Sequence, residues 1–115
     1  MDIRLFKFVQ DDEEYDCFIQ YYPDGNLISI MYIDEDGCCD DFMYPTTTPA
    51  QLPLAPGQVA ITDDCKRLGM LDKLVELGVI YEPDRKCVLS RIQDSVEFIY
   101  LCRVNDEIMA QWNCA

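Results

Sequence analysis

The chain has 115 residues, with 22 Asp and Glu against 9 Lys and Arg for a net charge of −13, and half of its residues are hydrophobic. That length suits one domain spanning residues 1–115, and the apolar content is too high for a disordered acidic tail. So acidic a chain is repelled by nucleic-acid phosphates and anionic lipid, which points away from direct nucleic-acid or membrane binding and toward basic partners.

Ile3 to Val9, an apolar run interspersed with Arg4 and Lys7, reads as a first strand, and residues 10–14, Gln-Asp-Asp-Glu-Glu, as a turn. Tyr15 to Tyr22 mixes aromatic, β-branched and polar residues and reads as a second strand. Pro23-Asp24-Gly25-Asn26 is a turn, because proline presets φ and glycine accepts a positive one. Leu27 to Ile33 is a third strand with apolar groups on both faces, which places it centrally in a sheet. Asp34-Glu35-Asp36-Gly37 turns the chain back into a fourth strand, Cys38 to Tyr44. The first 44 residues are thus expected to form a β-meander.

Pro45 to Pro56 holds four prolines, which forbid a regular helix or central strand, so the segment reads as a crossover packed along the surface. Gln58 to Ile61 suits a brief strand. A principal helix is expected within Asp63 to Leu77, capped by Thr62 or Asp63, with Leu68, Leu71, Leu74, Val75 and Leu77 as its apolar stripe. Gly78 suits the left-handed position that ends it, and Val79-Ile80-Tyr81 leaves extended. Cys87 to Ile92 and Val96 to Val104 read as a final hairpin, followed by a tail, Asn105 to Ala115, that forms a short helix or frays. The expected fold class is α+β: a mainly antiparallel sheet, built from the meander and the C-terminal hairpin, packed on one principal helix.

No window approaches the 18 apolar residues of a membrane span, and the N-terminus lacks the features of a signal peptide. With an odd count of seven cysteines, this favours a cytoplasmic protein with reduced thiols. Zinc normally takes paired ligands at C-x₂₋₄-C spacing, often with histidine. This chain has no histidine, and its one close pair is the adjacent Cys38-Cys39. The stretch from Asp34 to Asp41 resembles part of a calcium loop, but Tyr32 and Met43 stand where it needs acidic ligands. No metal or other cofactor is therefore expected.

The lack of histidine also removes an imidazole base, and no phosphate-cradling glycine loop is present, so the chain does not read as an enzyme. Cys65, near the expected helix N-terminus and beside Lys66, is the best candidate for an activated thiol.

The order of features resembles a family of small uncharacterised acidic proteins encoded by gut bacteria and their mobile elements. The matching stretches are Tyr21 to Ile30, Asp34 to Gly37, and the helix end Leu74-Val75-Glu76-Leu77-Gly78-Val79-Ile80. The resemblance spans about positions 15 to 104 and carries turn and core patterns, with no functional residue to transfer. It implies a genetic setting, that of phages and conjugative elements, in which small acidic proteins often inhibit host defence nucleases; anti-CRISPR proteins are the analogy.

The charge is unevenly placed. Residues 1–44 hold twelve acids and two bases for a net −10, against −1 for residues 45–78 and −2 for residues 79–115. In an up-and-down meander the first and third turns lie at the same end, within roughly 10–15 Å if the four strands are sequential neighbours. Asp11, Asp12, Glu13, Glu14 and Asp16 would then meet Asp34, Glu35, Asp36, Asp40 and Asp41 on one rim, with Tyr15 and Tyr44 as aromatic contacts at strand ends. Such a rim suits a basic groove built for phosphate. The leading expectation is a non-enzymatic inhibitor whose acidic, nucleic-acid-mimicking surface blocks the cleft of a basic nucleic-acid-binding protein, a CRISPR effector nuclease in particular. The alternatives are an immunity protein against a nuclease toxin, or a structural or regulatory accessory protein whose acids serve solubility.

Overall fold

A connection of two residues alone, Asp11 and Asp12 at φ 53° and 66°, joins β1 (Phe6–Gln10) to β2 (Glu13–Tyr22). Two central residues at positive φ make a hairpin turn whose twist matches that of the flanking strands. It fixes the register Lys7 opposite Asp16 and Phe8 opposite Tyr15. The structure is a computed structural model that describes residues 5–49 and 53–108. Features expected at Ile3, Arg4, Leu52 and residues 109–115, with Trp112 and Cys114, lie outside the described residues.

A 3-10 turn at Pro23–Gly25, closed by Asn26 in the left-handed conformation, leads into β3 (Leu27–Ile33), and β4 (Cys39–Met43) follows. All pairings are antiparallel and the order is β1-β2-β3-β4, the meander expected from the turns, with β3 inside the sheet. Its inner face buries Phe6, Phe8, Cys17, Ile19, Tyr21, Ile28 and Ile30.

The second half of the chain builds its own sheet, a difference from the expected composite of meander and hairpin. β5 (Thr46–Thr47), β6 (Gln58–Thr62), β7 (Arg85–Ile92) and β8 (Ser95–Arg103) take the order β5-β6-β8-β7. The proline-rich crossover thus contains a two-residue strand, in a stretch of three threonines whose N–H groups no proline interrupts. Thr46 Oγ1 accepts from the Ile28 N–H at 3.0 Å, and the Asn26 side chain donates to the Ala55 and Gln58 carbonyls at 2.9 and 2.8 Å. These bonds sew the first sheet to the second.

The principal helix is divided into α1 (Asp63–Leu68) and α2 (Met70–Glu76) by Gly69, at φ 89°. The break explains why Leu68, expected on the apolar stripe, is exposed while Leu71 and Leu74 are fully buried: the stripe does not continue in phase across a left-handed residue. Thr62 caps α1 as expected, its hydroxyl accepting from the Cys65 N–H at 3.2 Å. The helices bring Cys65, Met70, Leu71 and Leu74 against Val59, Ile61 and Cys102 of the second sheet and against the inner face of the first. Ala60, Ile99 and Leu101 form a smaller cluster on the opposite face of the second sheet. The fold is α+β, two antiparallel four-stranded sheets around short helices. Among the described residues no helix is long and apolar enough to cross a membrane.

Candidate functional site

Because β2 and β3 are neighbours paired from Asp16–Ile33 to Tyr22–Leu27, the β1–β2 and β3–β4 turns stand side by side at one end of the first sheet. A cleft of about 480 Å3 opens there, lined by Glu13, Glu14, Tyr15, Asp16, Tyr32, Ile33, Asp34, Glu35 and Asp36. Six of the ten expected rim carboxylates share it. Asp11 and Asp12 sit at the exposed tip of the first hairpin, outside the cleft. Asp40 and Asp41 lie along the exposed β4 edge, opposite Tyr32 and Met31.

The β3–β4 turn is held by its first acid. Asp34 Oδ1 accepts from the Asp36 and Cys38 N–H groups, both at 2.9 Å, while the Gly37 N–H donates to the Asp34 carbonyl at 3.0 Å. The local sequence folds this way because a short acceptor side chain bonds the backbone a few residues on and Gly37 takes φ 81° at no steric cost.

Lys7 is the one cation that pairs with any rim acid among the described residues, reaching Asp16 at 2.9 Å and Glu14 at 3.3 Å. These carboxylates hold the Lys7 ammonium above its usual pKa, hydrogen bonding to Asp16 being the largest cause. Sequence reasoning did not single out Lys7, although the signal was there. A two-residue turn at Asp11-Asp12 dictates that Lys7 faces Asp16 across the hairpin. Asp11, Asp12, Glu13, Asp34, Glu35, Asp36, Asp40 and Asp41 make no ion pair among the described residues.

The two tyrosines expected as aromatic contacts of the rim separate. Tyr15 is half-buried beneath the rim, its ring 5.5 Å from Tyr32 and 4.9 Å from Phe42, and Phe8 packs edge-on to Phe42 at 5.9 Å. Its hydroxyl donates to Glu13 at 3.0 Å, and that bond raises the phenol pKa. Tyr15 is thus part of an aromatic floor that stiffens the cleft. Tyr44 is 62% exposed but follows the end of β4 that pairs with Ile30, away from the Asp34–Asp36 turn. Its hydroxyl faces Asp41, whose carboxylate raises its pKa.

The thiol singled out for activation has the opposite environment. Cys65 is buried, and desolvation pushes its pKa up to about 12. The cap bond that places its N–H at the start of α1 also turns its side chain into the core, where burial outweighs the pull of a six-residue helix. Cys38 and Cys39 are the exposed thiols among the described residues.

Among the described residues no cluster of three or more Cys, Asp or Glu is arranged to hold a metal ion. Chemically, the rim is an array of acceptors around an aromatic floor. It can take charge-assisted hydrogen bonds from guanidinium and ammonium groups. The chain matches no family model, no curated protein sequence and no solved structure.

Proposed function

We propose that this chain is a non-enzymatic inhibitor, of the kind encoded by phages and other mobile elements, that occupies the basic cleft of a nucleic-acid-binding defence nuclease. A CRISPR effector is the favoured partner class. One observation carries the reading: eight carboxylates lie on two adjacent turns and the strand ends beside them, six of them around one cleft, with Asp40 and Asp41 following along the β4 edge, and Lys7 alone pairs with any of the ten among the described residues. Their field reaches about a Debye length, 8–10 Å at ordinary ionic strength, so it steers a basic partner before contact. On contact the rim offers paired oxygens to Arg and Lys, as phosphates do.

The stiffness of the rim supports the same reading. The turn bonds of Asp34 and the rings of Tyr15, Tyr32 and Phe42 set the carboxylates before a partner arrives, so less ordering entropy is lost on binding.

The test is competition between the chain and a labelled target duplex for a guide-loaded effector, followed by mobility shift across a salt series. The wild type should displace the duplex with a strength that falls as salt rises. The isosteric triple variant D34N/E35Q/D36N should need at least about tenfold more protein, the cost of one lost charge-assisted contact. Equal competition by that variant would remove the rim from the mechanism.

A further inference from the structure

Among the described residues, two edge strands carry more than one charge, all of a single sign. β4 ends the first sheet and holds Asp40 and Asp41 with no base. β7 ends the second sheet and holds Arg85, Lys86 and Arg91 with no acid, although the chain as a whole is at −13. An unpaired edge is a template for another strand.

The backbone bonds show which residues face outward. Asp34 N–H donates to the Cys38 carbonyl at 2.9 Å, so by alternation along an antiparallel ladder Cys39 and Asp41 direct their N–H and C=O groups away from β3. On the other sheet, Val104 N–H donates to the Gly57 carbonyl at 2.8 Å, which turns Tyr100 and Cys102 toward β6 and Ile99 and Leu101 toward β7. Arg85 and Cys87, opposite Leu101 and Ile99, therefore bond to β8, and Lys86 and Val88 present their backbone groups to solvent.

We propose that the chain associates with further copies of itself head to tail, the β4 edge of one copy pairing antiparallel with the β7 edge of the next. The outward-facing groups admit an alignment with Cys39 opposite Val88 and Asp41 opposite Lys86, which joins the two edges by one cross-strand ion pair and by backbone bonds, the Asp41 N–H exchanging the Asp40 Oδ1 to which it donates at 2.9 Å for a carbonyl of the next copy. Shifting it by two residues, with Cys39 opposite Lys86, sets Asp41 against Asp84. Over the same straight stretches, pairing two β7 edges sets Lys86 against Val88 with no ion pair, and pairing two β4 edges sets Asp40 against Asp40. Like charges directly opposed destabilise a ladder, so the β4 self-pairing is disfavoured, and of the three pairings only the mixed one gains an ion pair.

The side chains involved are accessible: Cys39, Asp41 and Lys86 are exposed and Val88 is 51% exposed. Lys86 lies over the Phe98 ring at 4.1 Å, which holds it on the β7–β8 ribbon. Bulges beyond Asp41 and beyond Val88 confine the straight pairing to three residues on each side, so the contact is short and the association concentration-dependent. Each docked copy keeps one free edge of either sign, so growth continues unless a ring closes. The overall negative charge opposes assembly, but at ordinary salt its distant part is screened and the local pair is not.

Sedimentation velocity over a wide concentration range tests this, with circular dichroism confirming that each variant is folded. The weight-average mass of the wild type should rise with concentration. K86E and D41K should each remain monomeric, and an equimolar mixture of the two should associate again, because each supplies the charge that the other lacks. Under mild oxidation V88C should form an intermolecular cross-link that the V88C/C39S variant loses. A wild type that stays monomeric throughout, or a K86E variant that associates as strongly as the wild type, would overturn the proposal.

Discussion

Asp12, at the tip of the rim, sits at φ 66° in a turn that favours glycine, so its backbone conformation has a measurable cost. Comparing D12G with D12A isolates that cost, because both substitutions remove the same carboxylate and any electrostatic change cancels. An Ala in the left-handed region costs roughly 1–2 kcal/mol relative to its preferred conformations. Glycine avoids this but loses more backbone freedom on folding, about 0.5–1 kcal/mol. The net expectation is that D12G is more stable than D12A by about 1 kcal/mol, equivalent to a melting difference of roughly 4 °C for a domain of this size. Urea denaturation and thermal melting, both followed by circular dichroism, read it directly. Equal stabilities, or a more stable D12A, would show that the hairpin tip is not held at positive φ and would refute the two-residue turn that sets the rim's register.

Three further outcomes follow from the same geometry. Burial raises the thiol pKa values of Cys17 to about 11 and of Cys65 and Cys102 to about 12, from an ordinary 9.0. The folded chain therefore keeps protons that the unfolded chain releases, and stability is lost as pH rises from the unfolded value toward the folded ones, by roughly 1 kcal/mol per pH unit for each thiol. Urea midpoints under reducing conditions should fall between about pH 8 and pH 10, and a flat profile would contradict the burial. Leu71→Ala empties a fully buried site between the sheets and should cost about 2–5 kcal/mol by chemical denaturation; a loss below about 1 kcal/mol would place Leu71 outside the core. At the rim, D34A removes the acceptor for two backbone N–H groups and should cost about 1–2 kcal/mol with faster exchange of the Asp36 and Cys38 amides. D34N keeps an oxygen there and should exchange almost as the wild type does.

Local chemistry made much of this readable before any coordinates. Turn residues mark where the meander reverses, and the Thr62 cap begins the helix where expected. β3 lies inside its sheet between β2 and β4 as expected, with Ile28 and Ile30 buried on its inner face while Leu27, Met31 and Ile33 on the other stay partly exposed. The clustering of acids in the first 44 residues is a property of the chain alone, and strand order turns it into a surface.

What the sequence could not settle depended on groups far apart in the chain. Helical spacing reads through Gly69, since a stripe of leucines does not reveal a residue at φ 89° that takes Leu68 out of phase. The proximity of Cys65 to a helix start suggested a reactive thiol, yet its reactivity depends on whether the core covers it, and the second sheet does. The division into two sheets rests on pairings such as Val59 with Cys102, 43 positions apart, which no local pattern encodes. The sequence by itself determined the sign and amount of charge, the turns that carry it and the strands between them. Tertiary structure decided which six carboxylates share a cleft, that Lys7 neutralises part of it, and that an acidic and a basic strand end on free edges. Charge and turn propensity are properties of single residues, whereas convergence and burial exist only once distant segments have paired.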